Sequence, residues 1–120
     1  MTLIASHTSR LRLATGVIPF QTRTPTVLGQ TAATLGHIAP GRFALGLGVS
    51  SPVIVEQWNG LSYRRPLEQL REAVQIIRQV MAGERVNFEG KHYRIRNLRD
   101  RKSTRLNSSH IQKSRMPSSA

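Results

Sequence analysis

Cysteine is absent from all 120 residues. A disulfide framework and a thiolate metal site are therefore excluded, and the composition is compatible with a reducing cytoplasm. Long apolar runs are also missing. No stretch approaches the roughly 20 residues that span a bilayer, so no membrane anchor is expected. Residues 1–9 lack the charged start and apolar core of a signal peptide. Aromatic residues make up only 5% of the chain, so its arginines lack the interleaved rings that single-strand nucleic-acid binding uses. The histidines His7, His37, His92 and His110 stand at no metal-ligand spacing, and no metal site is expected. Glu56, Glu68, Glu72, Glu84 and Glu89 form no evident carboxylate pair for acid–base work. Ser50-Ser51 is not a G-x-S-x-G elbow. No nucleophile–base constellation stands out, and the catalytic residues remain unassigned.

Acidic residues are scarce as well, 6 against 18 Lys and Arg, which leaves a formal charge of +12. Taken alone, that charge suggests a small basic nucleic-acid-binding module. Its distribution argues otherwise. Residues 1–99 hold 13 Lys and Arg against 5 Glu, a net +8, and residues 100–120 hold 5 against one Asp, a net +4. The latter segment is rich in Ser, Arg and Lys and has neither helical nor strand periodicity, the pattern of a disordered basic tail. In residues 1–99 the arginines are spread out, as on solvated faces, and no nucleic-acid partner is expected.

What is present reads as alternating strands and helices. Residues 3–9 suit the end of a helix. Arg10-Leu-Arg-Leu-Ala-Thr-Gly16-Val17 alternates and then turns apolar and small, as a strand entering a buried sheet does, and residues 18–23 read as a loop. Thr24-Pro25 is a helix start, with a capping hydroxyl before a proline at the first helical position. Leu28, Ala32 and Leu35 follow at helical spacing, with Thr31 and Ile38 beside them, and the helix should stop near Ala39, before Pro40-Gly41. Phe43-Ala-Leu-Gly-Leu-Gly-Val49 is a short apolar run that suits a buried parallel strand. Residues 50–59 read as a loop or irregular helix that carries Trp58. Pro66 opens the clearest helix, with Leu67, Leu70, Val74, Ile77, Val80 and Met81 on one face, Glu68 and Arg71 spaced to pair on the other, and Gly83 placed to end it. Val86-Asn-Phe88 and Tyr93-Arg-Ile95 flank Glu89-Gly90-Lys91 as a small hairpin. The order strand, helix, strand, helix, hairpin predicts a parallel α/β architecture. Pattern alone does not separate a barrel from an open doubly wound sheet.

Two glycine-bearing strand ends are the candidate ligand positions. Gly46-Leu-Gly48-Val-Ser50-Ser51 follows a strand and has the first two glycines of G-x-G-x-x-G, but position 51 is Ser and a loop follows, so the match is weak. Small residues packing a strand explain it equally well. A ligand-facing rim at residues 48–51 is the functional reading, because α/β folds bind ligands at the C-terminal ends of their strands. Gly16, at the end of the preceding strand, permits either a simple turn or the close approach of a flat ligand.

The succession of these pieces resembles a known family. Arg10-Leu-Arg-Leu-Ala-Thr-Gly-Val17, Pro25, Ala33-Thr-Leu35, Pro40-Gly-Arg42-Phe-Ala-Leu-Gly-Leu-Gly48, Arg65-Pro66-Leu with Leu70-Arg-Glu72, and Gly83-Glu-Arg-Val-Asn-Phe-Glu-Gly90 with Tyr93 resemble the luciferase-like monooxygenases. Gly48-Val-Ser-Ser-Pro52-Val-Ile-Val-Glu56-Gln-Trp-Asn-Gly60 is most similar to the branch that uses the deazaflavin coenzyme F420. The resemblance implies a (β/α)8 TIM barrel, of which residues 1–99 would be about strands three and four with their helices plus the hairpin. It implies that Gly16-Val17 is a non-prolyl cis peptide, a bulge supporting the deazaflavin ring, and that Gly48, Val49 and Ser50, with Ser51 beside them, touch the cofactor. Where sugar-phosphate dehydrogenases of the branch carry an acidic catalytic residue, this chain has Ser51, which argues against sugar-phosphate oxidation. The full-length parent is expected to be a cytoplasmic homo-oligomer that moves a hydride between coenzyme F420 and a small organic substrate. A monooxygenase using reduced flavin (FMN) and dioxygen is the enzyme alternative. A barrel needs roughly 250 residues, so the chain is expected to be a piece of one, inactive alone.

A second resemblance concerns the tail. Asp100-Arg-Lys-Ser-Thr-Arg-Leu-Asn-Ser-Ser-His110 is similar to the translation of a common sequencing-library adapter. Ser114-Arg-Met-Pro-Ser-Ser-Ala120 is similar to the adapter's downstream part in the same frame, after a short index over residues 111–113. Residues 100–120 are therefore expected to be non-native, and their charge says nothing about partners.

Overall fold

A computed structural model describes residues 1–99; the tail expectation lies outside the described residues. Thr2–Ser6 forms α1, Leu13–Ala14 β1, Ile18–Pro19 β2, Pro25–Ile38 α2, Phe43–Ala44 β3, Leu47–Gly48 β4, Pro66–Met81 α3, Val86–Glu89 β5 and Arg94–Leu98 β6. A 3-10 turn, Phe20–Thr22, joins β2 to α2, and a π-helical segment, Val53–Trp58, precedes α3. The architecture is α/β. Residues 18–23 are not a plain loop, because Ile18 and Pro19 continue the strand before the 3-10 turn begins. Among the described residues, no helix is long and apolar enough to cross a membrane.

The pairing is parallel. β1 lies beside β3 with Leu13 opposite Phe43, and β2 lies beside β4 with Ile18 opposite Leu47 and Pro19 opposite Gly48. Each pair is two-stranded. One strand-long segment, residues 13–19, thus runs alongside another, residues 43–48, with an interruption in each.

Helix α2 starts as its sequence dictates. The Val27 N–H donates to Thr24 Oγ1 at 3.2 Å, and Pro25 occupies the first turn, where its missing N–H goes unneeded. Two helical faces then meet. Leu28 and Ala32 are buried, and so are Gly29, Ala33 and Gly36. The small residues let α3 approach closely: a Cβ at Gly29 would stand 2.7 Å from Val80 Cβ, so even alanine there would force the helices apart. On α3, Leu70, Ala73, Val74, Ile76, Ile77, Val80 and Met81 are buried. Burying each large aliphatic side chain contributes roughly 1.5–3 kcal/mol. Leu67 departs from expectation. It lies one turn before this face closes over and is 39% exposed.

The main core joins the inner faces of the strands (Leu13, Phe43, Leu45, Leu47) to Phe20, α2 and α3. A second cluster, Ile76, Val80 and Val86, seats the β5–β6 hairpin on the far side of α3, and Tyr93 packs against both. Arg42 ties the N-terminal helix to the strands. Its guanidinium donates to the carbonyls of Ala5 and Leu11 and to Thr8 Oγ1 at 3.0–3.1 Å.

The hairpin is latched to α3 by one carboxylate. Glu72 accepts the backbone N–H groups of Lys91, His92 and Tyr93 at 3.0–3.2 Å. Gly90 leaves room beside it, because a Cβ there would displace the Glu72 carboxylate. Glu68 does not pair with Arg71 as its spacing suggested. Its carboxylate instead meets Arg65, the residue before α3, at 3.3 Å, and Lys91 and His92, which the hairpin brings to the same flank of the helix, at 3.9 Å. Partial burial acts to raise the Glu72 pKa, but the three N–H donors together hold it below its ordinary value. A lowered carboxylate pKa means stability that is complete above the ordinary glutamate value of 4.5 and fades as pH falls through the lowered one. The amides of Lys91, His92 and Tyr93 should therefore lose exchange protection on acidification below that window. Glu72→Gln should weaken their protection at neutral pH and remove the pH dependence, as read by NMR hydrogen exchange.

Candidate functional site

The two strand segments do not stay in simple register. Phe43 lies 30 positions after Leu13, whereas Leu47 lies 29 after Ile18. Residues 13–19 therefore contain one residue more than their partner strand, which is a bulge. It falls at residues 15–17, and the Gly16–Val17 peptide within it is cis. The cis bond and the bulge are thus where the family resemblance placed them.

A side chain bridges the interruption. The ladder runs from Leu13 N–H to the Arg42 carbonyl, through Thr15 N–H to the Ala44 carbonyl, to Ile18 N–H at the Gly46 carbonyl. Between these steps the Gly46 N–H donates to Thr15 Oγ1 at 2.7 Å, and that hydroxyl donates to the Gly46 carbonyl at 2.8 Å. Gly46 is mandatory here, because a Cβ would collide with the Thr15 carbonyl oxygen.

The candidate residues converge at one end of the paired strands. Pro19 stands opposite Gly48, and a Cβ at Gly48 would lie 2.7 Å from Val17 Cγ2. The Val17 side chain is 58% exposed, an unusual position for an apolar residue at a strand end. Gly16 is exposed too, and a Cβ there would meet nothing within 4 Å. Neither packing nor a positive φ explains that glycine, so its missing side chain leaves open surface. Gly48 and Ser50 are half-buried and Ser51 is exposed. Val49 differs from the others: its side chain packs against the main core, so only its main chain belongs to the rim. Ser51 starts the π-helical segment, its hydroxyl accepting from Ile54 N–H at 3.4 Å and its carbonyl accepting from Val55 N–H at 3.0 Å.

Sequence reasoning missed two residues of this site. One is Thr15, whose two-way bond to Gly46 depends on a register that no local pattern reveals. The other is Gln21, whose Oε1 accepts the Ser50 N–H at 3.0 Å. Its signal was only a polar residue between Phe20 and Thr22 in an apparent loop.

None of residues 13–19 and 43–51 is ionisable. The rim therefore offers main-chain groups, small side chains and one exposed valine, a surface suited to a flat, neutral ring system. Among the described residues, no group of three or more His, Asp or Glu could hold a metal ion.

The family profile described as luciferase-like monooxygenase matches residues 1–108. The chain belongs to that family. The match ends inside the segment read from sequence as the tail. A Mycobacterium tuberculosis protein named as a coenzyme F420-dependent oxidoreductase is 48% identical over 91 residues, covering 75% of this chain and 26% of its own. An F420-dependent glucose-6-phosphate dehydrogenase of Kineococcus radiotolerans is 41% identical over 96 residues, covering 77% and 28%. The crystal structure of a monooxygenase from Streptomyces bottropensis superposes with a TM-score of 0.75 at 24% identity, over 94% of this chain and 34% of that one, a likeness of fold. The chain thus spans about a quarter to about a third of the length of these relatives. The branch expected from residues 48–60 is the branch to which the curated relatives belong.

Thr15→Val should leave the Gly46 N–H buried without its acceptor and cost about 1–3 kcal/mol. Thr15→Ser, which keeps the hydroxyl, should retain most of that stability. Urea unfolding of the two variants checks this.

Proposed function

We propose that residues 1–99 are the third and fourth βα units of a (β/α)8 barrel, and that the whole protein is an oxidoreductase moving a hydride between coenzyme F420 and a small organic substrate. The observation that carries this reading is that the Val17 side chain, next to Gly16 in the bulge, lies against Gly48 at the same end of adjoining parallel strands. In α/β folds that end is where ligands bind. The two-stranded pairs leave outer edges that barrel closure would pair. The F420-dependent names of the relatives favour deazaflavin over reduced FMN.

The residues present fit such a group. Gly16 leaves open space where a side chain would stand, and no ionisable residue lies in either strand segment. Gly16 and Val17 would support the ring face, while Gly48, Ser50, Ser51 and the Val49 main chain would border it. A deazaflavin supplies two-electron hydride transfer when bound. This chain's part is positioning: the Thr15–Gly46 bridge holds the two rims together, and the uncharged surface keeps competing ionic groups away from the ring. Ser51, spent on starting the π-helical segment, supplies no carboxylate, which favours a substrate other than a sugar phosphate. Residues 100–120 lie outside the barrel domain in this reading.

Residues 1–99 exchanged for the matching segment of the M. tuberculosis relative should give a hybrid that binds F420, read by quenching of deazaflavin fluorescence. A folded hybrid without binding would overturn the assignment. Gly16→Leu in that hybrid should leave the thermal midpoint unchanged, because nothing packs at that position, yet weaken F420 binding by at least about tenfold.

A further inference from the structure

We propose that Gln21 is a positioning residue for the cofactor rim, acting through the main chain of Ser50; this rests on the reading of residues 16–17 and 48–50 as that rim. Gln21 lies in the 3-10 turn that follows β2. The ladder reaches its end there. Pro19, opposite Gly48, has no N–H to give, and the chain turns away at Phe20. One step past the end of the sheet, the Ser50 N–H donates to Gln21 Oε1 at 3.0 Å. A side-chain oxygen thus extends the pairing where the main chain no longer can, just before the chain leaves for the π-helical segment.

The other end of the same amide is unusual. Gln21 Nε2 is buried and has no hydrogen-bond partner. A buried unpaired donor is destabilising, and such groups in folded proteins call for an explanation. The site tolerates that penalty and keeps the acceptor aimed at Ser50. Two effects on stability then oppose each other: the bond to Ser50 is favourable and the orphaned donor is unfavourable. Ser50 is half-buried, so its N–H can turn to water once the amide is gone, and removing the amide should change stability little while releasing the rim. A ligand that needs Gly48 and Ser50 in place against the Gly16-Val17 bulge would feel that release, because sites lose function when their supporting contacts slacken.

The test uses the hybrid barrel carrying residues 1–99, with F420 as the probe and fluorescence quenching and thermal unfolding as paired readouts. Gln21→Met, which keeps the length and deletes the amide, should weaken F420 binding about tenfold with little change in thermal midpoint. Gln21→Asn, which withdraws the amide from Ser50, should do the same, so the test does not depend on one variant folding. A lowered midpoint with unchanged affinity would show a merely structural role and overturn the proposal. If the unsubstituted hybrid binds F420 and the Met and Asn variants bind as tightly, this inference alone falls. If the unsubstituted hybrid does not bind, the cofactor assignment falls and takes this one with it.

Discussion

The candidate site depends on one constraint: two parallel strand segments must be held side by side although one is a residue longer than the other. A mismatch of that kind leaves main-chain donors and acceptors without ladder partners, and a buried N–H left unpaired costs about 1–3 kcal/mol. Thr15 resolves it, because a hydroxyl can accept and donate at once. Its bonds to both polar groups of Gly46 carry the pairing across residues 15–17 and return it to register at Ile18. The surplus residue is displaced outward. Gly16 and Val17 are exposed as a result, and Val17 leans over Gly48.

The helices serve this arrangement from behind. α2 and α3 pack through small residues, with Gly29 against Val80, and bury the inner strand face with Phe20, Leu28, Leu70 and Ile77. Another face of α3 carries a separate small core, and Glu72 latches the hairpin to the helix. The two regions communicate through Tyr93, which packs against both clusters; burial first, and Glu72 second, push its phenol pKa up. The hairpin is thereby fastened to the scaffold at a distance from the rim, and the rim residues are left without charged neighbours along either strand segment.

Much of the scaffold was legible in the sequence because its signals are local. Thr24-Pro25 caps and opens α2, the apolar stripe from Leu70 to Met81 marks the buried face of α3, and the hairpin turns at Gly90, although the turn runs on to Tyr93 and Glu89 still pairs with Arg94. Two of the misreadings were of a non-local kind, and the third was a lack of local signal. Glu68 stood at pairing distance from Arg71 along the helix, yet the hairpin brought Lys91 and His92 to it. Leu67 matched the apolar stripe but lies beyond the edge of the packed face. Ile18 and Pro19 looked like loop because a strand of two residues, one of them proline, has no periodicity of its own.

The site divides along the same line. The amino-acid order by itself determined that two strand ends would carry glycine, that both would be free of charge, and that their succession matches the luciferase-like family. Local chemistry and pattern suffice for that. Only the tertiary structure decided that Val17 lies against Gly48, that Val49 turns inward while Val17 turns out, and that Thr15 and Gln21 hold the rim. Those outcomes depend on a register between segments about thirty residues apart, and register is set by the summed pairing and packing of both strands rather than by any residue's own preference.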